Sequence, residues 1–418
     1  MDILRIATAG SVDDGKSTLI GRLLYETNSV PKDKLLAIES ASKRRGLDFL
    51  DLSLLTDGLI AEREQGITID VAHVYFSTPT RKYIVADSPG HVEYTRNMVT
   101  GASTASVSII LIDARNGVVE QTLRHYAIAA MLRVPNVIVC VNKMDLVGYD
   151  KEQFENICAD FQLRAESLKP AGQILQFVPV SSLQGENITQ SLGNMAWYQG
   201  SSLLTLLEQA NAHTAVMGAA RMQVQWVIRP RTAELHDYRG YAGRVSGGSL
   251  AVGDVIMVLP AVRTSTITGI ERFGKQARQA NASDSVVLRL ADDIDVSRGS
   301  MICTCDGAPA PQKDVQAKMC WLDHAPLRTG ETYTMQHGVA RVRSKISTLN
   351  SRLNVTTQLT EASPQVLRLN EIGTVQLRLS QPVFVDRYQD NPQNGAFILI
   401  DENTHGTVGV GFVESRNN

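Results

Sequence analysis

Residues 10–18 are Gly10-Ser11-Val12-Asp13-Asp14-Gly15-Lys16-Ser17-Thr18 and come shortly after the apolar run Ile3-Leu4-Arg5-Ile6-Ala7. An apolar strand, a glycine-containing loop and a helix start in this order predict a loop that binds phosphate. The glycines let backbone N–H groups turn inward, and a helix beginning near Lys16 points its positive end at the same anion. Lys16 is expected to reach the β- and γ-phosphates, and the Ser17 hydroxyl to hold Mg²⁺. The chain is therefore predicted to bind a nucleoside triphosphate.

The base is predicted from Asn142-Lys143-Met144-Asp145, which follows the apolar run Val137-Ile138-Val139-Cys140-Val141. This run is typical of a buried parallel strand, whose carboxyl end is where an open α/β sheet places its ligands. The Asp145 carboxylate can accept hydrogen bonds from N1–H and the amine of guanine, whereas adenine would leave it unpaired. Lys143 is expected to lay its alkyl stem along the base. A plain turn would also suit these residues, but their position favours guanine.

A third motif, Asp87-Ser88-Pro89-Gly90-His91, also follows an apolar strand pattern, Tyr83-Ile84-Val85-Ala86. Asp87 is expected in the Mg²⁺ shell, and the Gly90 amide is free to approach the γ-phosphate. His91 then stands where an attacking water would be positioned. A Pro-Gly turn with an incidental His is the alternative for the motif in isolation. Its order and spacing relative to the other motifs favour the nucleotide interpretation.

Two further motifs complete the predicted site. Within Arg63-Glu64-Gln65-Gly66-Ile67-Thr68-Ile69-Asp70, Thr68 can ligate Mg²⁺ and sense the γ-phosphate, so that the segment changes conformation when this phosphate leaves. The charged stretch 25–62 before it has helical spacing at residues 34–38 and is predicted to carry short helices. Val180-Ser181-Ser182-Leu183 is expected to contact the guanine O6 through a backbone amide.

These five motifs, in this order, resemble the translation-factor superfamily of GTPases. Within it the chain is most similar to the GTPase (large, regulatory) subunits of bacterial sulfate adenylyltransferase, over essentially all 418 residues. Segments outside the nucleotide motifs carry the more specific part of the resemblance: Met98–Thr104, Asn194–Tyr198, Asp237–Gly243 and Asn394–Asp401.

The resemblance assigns roles to the motif residues. It implies phosphate contacts from Gly10 to Thr18, Mg²⁺ at Ser17 and Thr68, with Asp87 predicted from its own motif as the third metal residue, and γ-phosphate sensing at Gly90. It also implies guanine recognition by Asn142, Lys143 and Asp145. It implies that His91 positions the attacking water, and the residues predicted to be catalytic are His91, Thr68 and Lys16. Two departures from the family pattern are small and keep backbone contacts possible: Ser88 stands where threonine is commoner, and Ser182 where alanine is commoner.

The resemblance also implies a function. This chain would bind GTP or GDP with Mg²⁺, and its GTP hydrolysis would drive ATP and sulfate to adenylylsulfate and pyrophosphate on a separate catalytic subunit. The two subunits would form a heterodimer or a higher assembly. Residues 25–70 and 91–105 are expected to contact the partner. The chain has no visible adenylyl-transfer site of its own, because Ser246-Gly247-Gly248-Ser249 lacks the lysine and aspartate for that chemistry and is better explained as a hairpin turn.

The alternative is an elongation-factor-type GTPase that binds aminoacyl-tRNA. A protein that grips a polyanion usually carries a basic face, whereas here 41 basic residues stand against 43 acidic ones. This balance disfavours a nucleic-acid partner. A nucleotide-binding scaffold without catalysis is disfavoured by the presence of Thr68 and His91.

Composition indicates a globular cytoplasmic chain with no membrane association. With 43% hydrophobic residues and 31 glycines it can bury several cores, and no apolar run reaches membrane-spanning length. Met1 leads directly into the first strand pattern, which leaves no room for a signal segment. Five cysteines without disulfide or zinc spacing fit a reducing compartment, and Cys303 and Cys305 are expected to be half-buried thiols rather than metal ligands.

The predicted fold class is an α/β P-loop GTPase domain, with a mostly parallel sheet and helices on both faces, followed by two β-barrel domains. Strand and helix patterns alternate to about residue 210, and short glycine-punctuated strands follow. The predicted domains are 1–212, 213–307 and 308–418, with a Pro- and Gly-containing linker at 306–311. Whether the chain is a complete subunit or the front part of a longer bifunctional protein stays open.

Overall fold

The computed structural model describes residues 2–44, 46, 49–55, 72–88, 95–212, 218–230 and 237–416. The chain divides into two compact units, residues 1–214 with 355–359, and residues 215–354 with 360–418. The three predicted domain ranges stay a prediction. The predicted site residues Thr68, Gly90 and His91, with the whole of motif 63–70, lie outside the described residues.

The first unit contains a six-stranded sheet with the order β2-β3-β1-β4-β5-β6. Its strands are β1 Ile3–Ala9, β2 Ala72–Ser77, β3 Lys82–Asp87, β4 Val107–Asp113, β5 Asn136–Asn142 and β6 Ile174–Pro179. All neighbours are parallel except β2, which runs antiparallel to β3 at the edge. The mostly parallel sheet predicted from the sequence is confirmed, with strands at each of the apolar runs that precede a motif.

The centre of this sheet is fully covered. Every residue of β4 and β5 is buried, which is why both strands are almost continuously apolar instead of alternating. Helices in the described part of the first unit are Lys16–Glu26 (named α1), Lys32–Arg44, Thr95–Ala102, Glu120–Met131, Lys151–Ala165 and Leu203–Gln209. The helix Lys32–Arg44 agrees with the helical spacing predicted at residues 34–38.

Helix α1 shows how the sheet positions the site. It buries Leu19, Ile20 and Leu23 in the core that contains Leu4 and Ile6 of β1. Its N-cap residue, Gly15, has no side chain that could accept a capping hydrogen bond, whereas Asp150 and Ser202 accept hydrogen bonds from the first turns of two other helices. The N-terminal amides of α1 are thus left for another acceptor, at the carboxyl end of β1.

The second unit contains two closed barrels. In the first, the strand order is β10-β15-β7-β8-β14-β11, and the pairing of β10 with β11 closes it. The strands from this part of the chain are β7 Arg221–Ile228, β8 Gly240–Ser246, β9 Leu250–Ala251, β10 Val255–Leu259, β11 Arg263–Arg272, β12 Lys275–Ala277, β13 Gln279–Ala280, β14 Ser285–Leu290 and β15 Met301–Thr304. The hairpin turn predicted at Ser246–Ser249 is wrong: these residues connect β8 to β9, but β8 pairs with β7 and β14 whereas β9 pairs with β13 in a separate sheet.

The second barrel has the order β18-β23-β24-β16-β22-β19 and closes through β18 and β19. The strands here are β16 Gln312–Trp321, β17 Leu327–Arg328, β18 Thr332–His337, β19 Ala340–Leu353, β20 Thr360–Ala362, β21 Val366–Leu367, β22 Ile372–Val383, β23 Ala396–Ile400 and β24 Thr407–Arg416; a four-residue helix, Pro392–Gly395, precedes β23. Each barrel has its own apolar core, as closure of alternating strands requires.

A buried ion pair joins the two barrels within the second unit. Arg221 of β7 places its Nε 3.2 Å from Asp386 Oδ2, and both side chains are 4% exposed. Asn391 and Asn394 also donate to Asp386 Oδ2, at 3.2 and 2.9 Å. Asp386 is therefore an acceptor shared by one cation and two amides, with little access to water.

The expectations drawn from composition also concern membrane-spanning segments and the cysteines. In the described residues, no helix is both long and apolar enough to cross a membrane. The structure describes all five cysteines, and none of them forms a disulfide. Cys303 is completely buried, not half-buried as expected, while Cys305 is partly exposed. Each of these two thiols lies 3.6 Å from a carbonyl oxygen of the neighbouring β10 region.

Removing the Asp386 carboxylate tests the buried pair. We expect Asp386→Ala to lower the free energy of unfolding by about 3–5 kcal/mol, because it leaves a buried guanidinium uncompensated. Asp390→Ala is the matched control, since Asp390 pairs with Arg387 at 2.7 Å on the surface, where a pair contributes about 0–1 kcal/mol. Urea unfolding followed by circular dichroism measures both; equal losses would show that Arg221 does not depend on Asp386.

Candidate nucleotide-binding site

The phosphate loop follows β1 and ends at α1. Asp13 and Gly15 have φ values of 69° and 92°, the left-handed conformations that turn successive amides to one side. The Lys16 ammonium lies back across the loop and donates to Gly10 O at 2.8 Å and to Ser11 O at 3.2 Å. Burial lowers the pKa of Lys16, partly offset by Asp87, Asp14 and Asp13. The loop thus has the form that the sequence predicts for holding phosphates.

Asp14 has a structural role in this loop that its position in the motif does not indicate. The Ser11 N–H donates to Asp14 Oδ2 at 2.5 Å, and the side chain is only 5% exposed. Burial raises the pKa of Asp14, although the Ser11 bond and Lys16 oppose the rise. The carboxylate therefore closes the first turn of the loop from within.

The Asn142 side chain joins three segments of the site. Its Nδ2 donates to Asp14 O at 2.7 Å, and its Oδ1 accepts from Ser182 N at 3.0 Å and Ser182 Oγ at 2.9 Å. Gly15 is required at the crossing, since a Cβ there would lie 2.5 Å from Asn142 Nδ2. The sequence predicted Asn142 as a guanine contact; the structure gives it a bracing position between the phosphate loop and residues 181–183.

The two other residues of the guanine motif have their own supports. Ser181 Oγ donates to Asp145 Oδ1 at 2.6 Å, which fixes the orientation of this carboxylate. Lys143 has a φ of 62°, and its Nζ lies 3.0 Å from Asp113 Oδ2. Arg115 also binds Asp113, at 2.6 Å. Burial alone would raise the pKa of Asp113, but Arg115 and Lys143 outweigh it and hold the pKa below its usual range.

Asp113 and Arg115 were missed from the sequence, although a signal was present. Asp113 ends β4 just as Asp87 ends β3 and Asn142 ends β5, and all three strand ends lie at the carboxyl edge of the sheet. A polar residue at this edge is a candidate for the site by the same rule that identified the others.

These groups surround a cavity of about 420 Å³. This volume lies within the range of sites that hold drug-sized ligands. The cavity is lined by Gly15, Thr18, Phe49, Asp51, Leu52, Arg115, Asn142, Lys143, Asp145, Leu146, Ser182 and Leu183. It therefore brings one end of the phosphate loop together with Asp145 and the 181–183 segment, as a nucleoside attached to bound phosphates would need.

The described part of the predicted metal site is Ser17 and Asp87. Asp87 is 1% exposed, and its Oδ1 accepts from Thr8 Oγ1 at 3.1 Å, next to it on β1. Asp87 also acts electrostatically on Lys16. A carboxylate and a hydroxyl beside a phosphate loop are oxygen ligands of the kind that Mg²⁺ prefers, so these residues fit the ion.

His125 is a buried titratable residue that the sequence analysis did not single out. It lies on the helix Glu120–Met131, is 2% exposed, and has its Nε2 3.0 Å from Gln121 Nε2. Burial, together with the positive charges of Lys16 and Arg124, lowers the pKa of His125 to about 3. The imidazole is therefore neutral at physiological pH.

A mostly parallel sheet with a phosphate loop and a guanine-type motif at its carboxyl edge, followed by two closed barrels, defines the class of elongation-factor-like GTPases. Residues 1–216 match the family model of the elongation factor Tu GTP binding domain. Residues 314–414 match that of the GTP-eEF1A C-terminal domain-like family.

Two relatives with known names show which family of these GTPases the chain belongs to. Sulfate adenylyltransferase subunit 1 of Salmonella paratyphi C is 44% identical over 414 residues, covering 98% of this chain and 85% of that protein. The bifunctional enzyme CysN/CysC of Mycobacterium tuberculosis H37Rv is 47% identical over 413 residues, covering 98% of this chain and 67% of that protein. A crystal structure of sup35 complexed with GDP has a TM-score of 0.45 at 22% identity, covering 100% of this chain and 95% of that one. The chain belongs to the sulfate adenylyltransferase subunit 1 family of GTPases.

We expect the first unit to lose stability as the pH falls from about 6.5 toward 3. An unfolded histidine takes up a proton near pH 6.5, whereas His125 does so only near 3. The unfolded state binds more protons in this window, so the free energy of unfolding falls by about 1.4 kcal/mol per pH unit. Native-state hydrogen exchange of the helix Glu120–Met131 measures the effect.

His125→Gln should remove about 2 kcal/mol of the stability difference between pH 7 and pH 5. His73→Gln is the control, because His73 is exposed on β2 of the same unit and should leave that difference unchanged. A wild-type pH dependence that persists in His125→Gln would contradict the assignment to His125.

Proposed function

We propose that this chain hydrolyses GTP as one subunit of a sulfate-activating complex. GTP hydrolysis drives the formation of adenylylsulfate and pyrophosphate from ATP and sulfate on a separate catalytic subunit. The observation that carries the proposal is an interlocked nucleotide site in a chain that aligns over 98% of its length with proteins named sulfate adenylyltransferase subunit 1. The partner, the coupling and the roles of individual residues belong to the proposal.

The proposed nucleotide contacts follow the geometry of the described residues. The amides of residues 10–18 hold the phosphates, and Lys16 leaves its two carbonyl acceptors to reach the β- and γ-phosphates. Asp145 accepts from the guanine N1–H and amine with the carboxylate that Ser181 orients. The alkyl stem of Lys143 lies along the base while its ammonium stays on Asp113.

The proposed hydrolysis uses residues on both sides of the γ-phosphate. Ser17, Asp87 and Thr68 would hold Mg²⁺, and when bound the ion would supply positive charge to the phosphate oxygens. His91 orients a water, and the Gly90 amide contacts the γ-phosphate. The water oxygen bonds to the γ-phosphorus as the bond to the β–γ bridging oxygen breaks, giving GDP and inorganic phosphate, while Lys16 stabilises the transferring group.

Coupling has a thermodynamic reason. Forming a phosphoric–sulfuric anhydride is strongly uphill, so a second nucleotide hydrolysis can pull the reaction forward if the nucleotide-sensing segments contact the partner. We place this contact at residues 25–70 and 91–105. The described part of the first segment exposes an apolar side chain, Leu36, to 64% of its area on the helix Lys32–Arg44. The proposal places the complex in the cytoplasm.

Asp145→Asn tests the guanine assignment. The carboxamide can donate to the O2 oxygen of xanthine but faces the guanine amine with a donor of its own. We expect the variant to lose GDP affinity by about a hundredfold, the size of one mismatched buried donor or acceptor, and to gain xanthosine diphosphate binding. Isothermal titration calorimetry with both nucleotides measures the switch.

Asp150→Asn is the control for Asp145→Asn. It makes the same charge change nearby, but Asp150 caps the helix Lys151–Ala165 and does not line the cavity. Unchanged GDP affinity in Asp145→Asn would overturn the assignment of this carboxylate to the base.

Asp145→Asn also tests whether GTP hydrolysis by this chain is coupled to adenylylsulfate formation on the catalytic subunit. In reactions with the ATP- and sulfate-using subunit, GTP should stimulate adenylylsulfate formation by the wild-type complex. Xanthosine triphosphate, and not GTP, should stimulate the complex that contains Asp145→Asn. Such a switch can come only through the nucleotide site of this chain.

Two outcomes would contradict the coupling. GTP turnover that is indifferent to the catalytic subunit, ATP and sulfate would separate this chain from sulfate activation. If aminoacyl-tRNA changed that turnover instead, the chain would act as a translational GTPase.

A further inference from the structure

Arg22 and Glu26 of α1 bind the part of the chain that begins at residues 181–183, and this segment forms one wall of the cavity. The Arg22 Nε donates to Ser182 O at 3.0 Å, and its Nη2 donates to Leu183 O. The Arg22 side chain is 16% exposed and does not line the cavity. It therefore holds the wall from behind, on the side away from the space in which a base would lie.

The three successive amides of this wall have different partners. Ser181 N–H donates to Glu186 O at 3.2 Å, and Ser182 N–H donates to Asn142 Oδ1 at 3.0 Å. Among the residues that the structure describes, nothing accepts from the Leu183 N–H. Leu183 lines the cavity, so its amide is the one in this wall that is open to a ligand acceptor.

The peptide bond between Ser182 and Leu183 links the Arg22 contact to this amide. In a trans peptide the carbonyl and the N–H point in opposite directions from one rigid plane. Arg22 fixes the Ser182 carbonyl on the outer side, so the Leu183 N–H is turned the other way. The second guanidinium bond, to Leu183 O, resists rotation of the next peptide as well.

Glu26, one turn further along α1, supports Arg22. Its Oε1 lies 3.8 Å from Arg22 Nη1, and its Oε2 accepts from Thr189 Oγ1 at 2.6 Å. Gly185 lets the chain pass this close, because a Cβ there would lie 2.5 Å from Glu26 Oε1. Arg22 and Glu26 thus bind both ends of the segment 182–189.

We propose that Arg22, held by Glu26, is a specificity-determining positioning residue, which aims the Leu183 N–H at the O6 oxygen of a guanine base. The inference rests on the proposed binding of guanine nucleotides. Arg22 acts through the loop and never touches the nucleotide. Lysine cannot replace it, because an ammonium lacks the planar fork that binds two carbonyls in fixed geometry.

The test compares diphosphates that differ from GDP at one position. 6-Thioguanosine diphosphate replaces O6 with sulfur, a weak acceptor, and keeps the N1–H and the amine. Inosine diphosphate keeps O6 and lacks the amine that Asp145 is proposed to bind. Dissociation constants are measured by calorimetry for the wild type, Arg22→Ala, Arg22→Lys and Arg164→Ala.

In Arg22→Ala we expect GDP affinity to fall about tenfold while 6-thioguanosine diphosphate affinity stays within twofold of the wild type. The preference for O6 over sulfur is then lost, and the preference for GDP over inosine diphosphate is kept. KM for GTP rises by the same factor with kcat unchanged. Arg22→Lys behaves like Arg22→Ala. Arg164→Ala removes a comparable i,i+4 pair with Asp160 on another helix and changes neither preference.

The outcomes are separable. A wild-type protein that binds none of the three nucleotides defeats the proposed function. A wild type that binds all three, with an Arg22→Ala variant that weakens all three equally, means that Arg22 is merely structural and overturns this inference. If Arg22→Ala does not fold, Glu26→Gln, which keeps the side-chain shape, should reduce the O6 preference about threefold; an unchanged preference there also overturns it.

Discussion

The nucleotide site depends on the amide of one buried side chain. Asn142 donates to the backbone of the phosphate loop and accepts from the 181–183 segment, so the positions of these two loops are set by a single planar group. An amide is required because one end must donate while the other accepts, which neither a carboxylate nor an apolar residue can do. With Gly15 packed against it, the distance between the phosphate-binding and base-binding ends of the cavity is fixed before any ligand arrives.

The sequence predicted those features that are local. The strands before residues 10, 87 and 142, the loop around Lys16 and the turn that holds Asp145 follow from patterns only a few residues long. The Asp14 side chain was placed in the loop but its bond to Ser11 N–H was not foreseen, since the same residue type would also suit a contact with the ligand. Asp113 lies 30 positions before its partner Lys143 in the sequence. The only pattern that could have predicted its place in the site was its position at the carboxyl end of a strand.

Other contacts could not be predicted from one sequence because the fold creates them. Arg22 and Ser182 are 160 positions apart, and neither segment contains a sequence pattern that predicts its contact with the other. The same holds for Arg221 and Asp386, 165 positions apart in the second unit. The alternating strand patterns predicted two barrels. An arginine in such a strand is usually exposed to solvent, and Arg221 is buried only because the second barrel covers it.

The charges of the nucleotide site explain why it can accept a polyanion although several aspartates surround it. Asp113 is neutralised by Lys143 and Arg115, and Asp14 accepts an internal amide, so neither competes for the ligand. Lys16 is bonded to two neutral carbonyls and is poorly hydrated, so it would give up only weak partners in the phosphate contact that we propose. A charged acceptor then replaces a neutral one in a site already shielded from water, where such a bond is strongest.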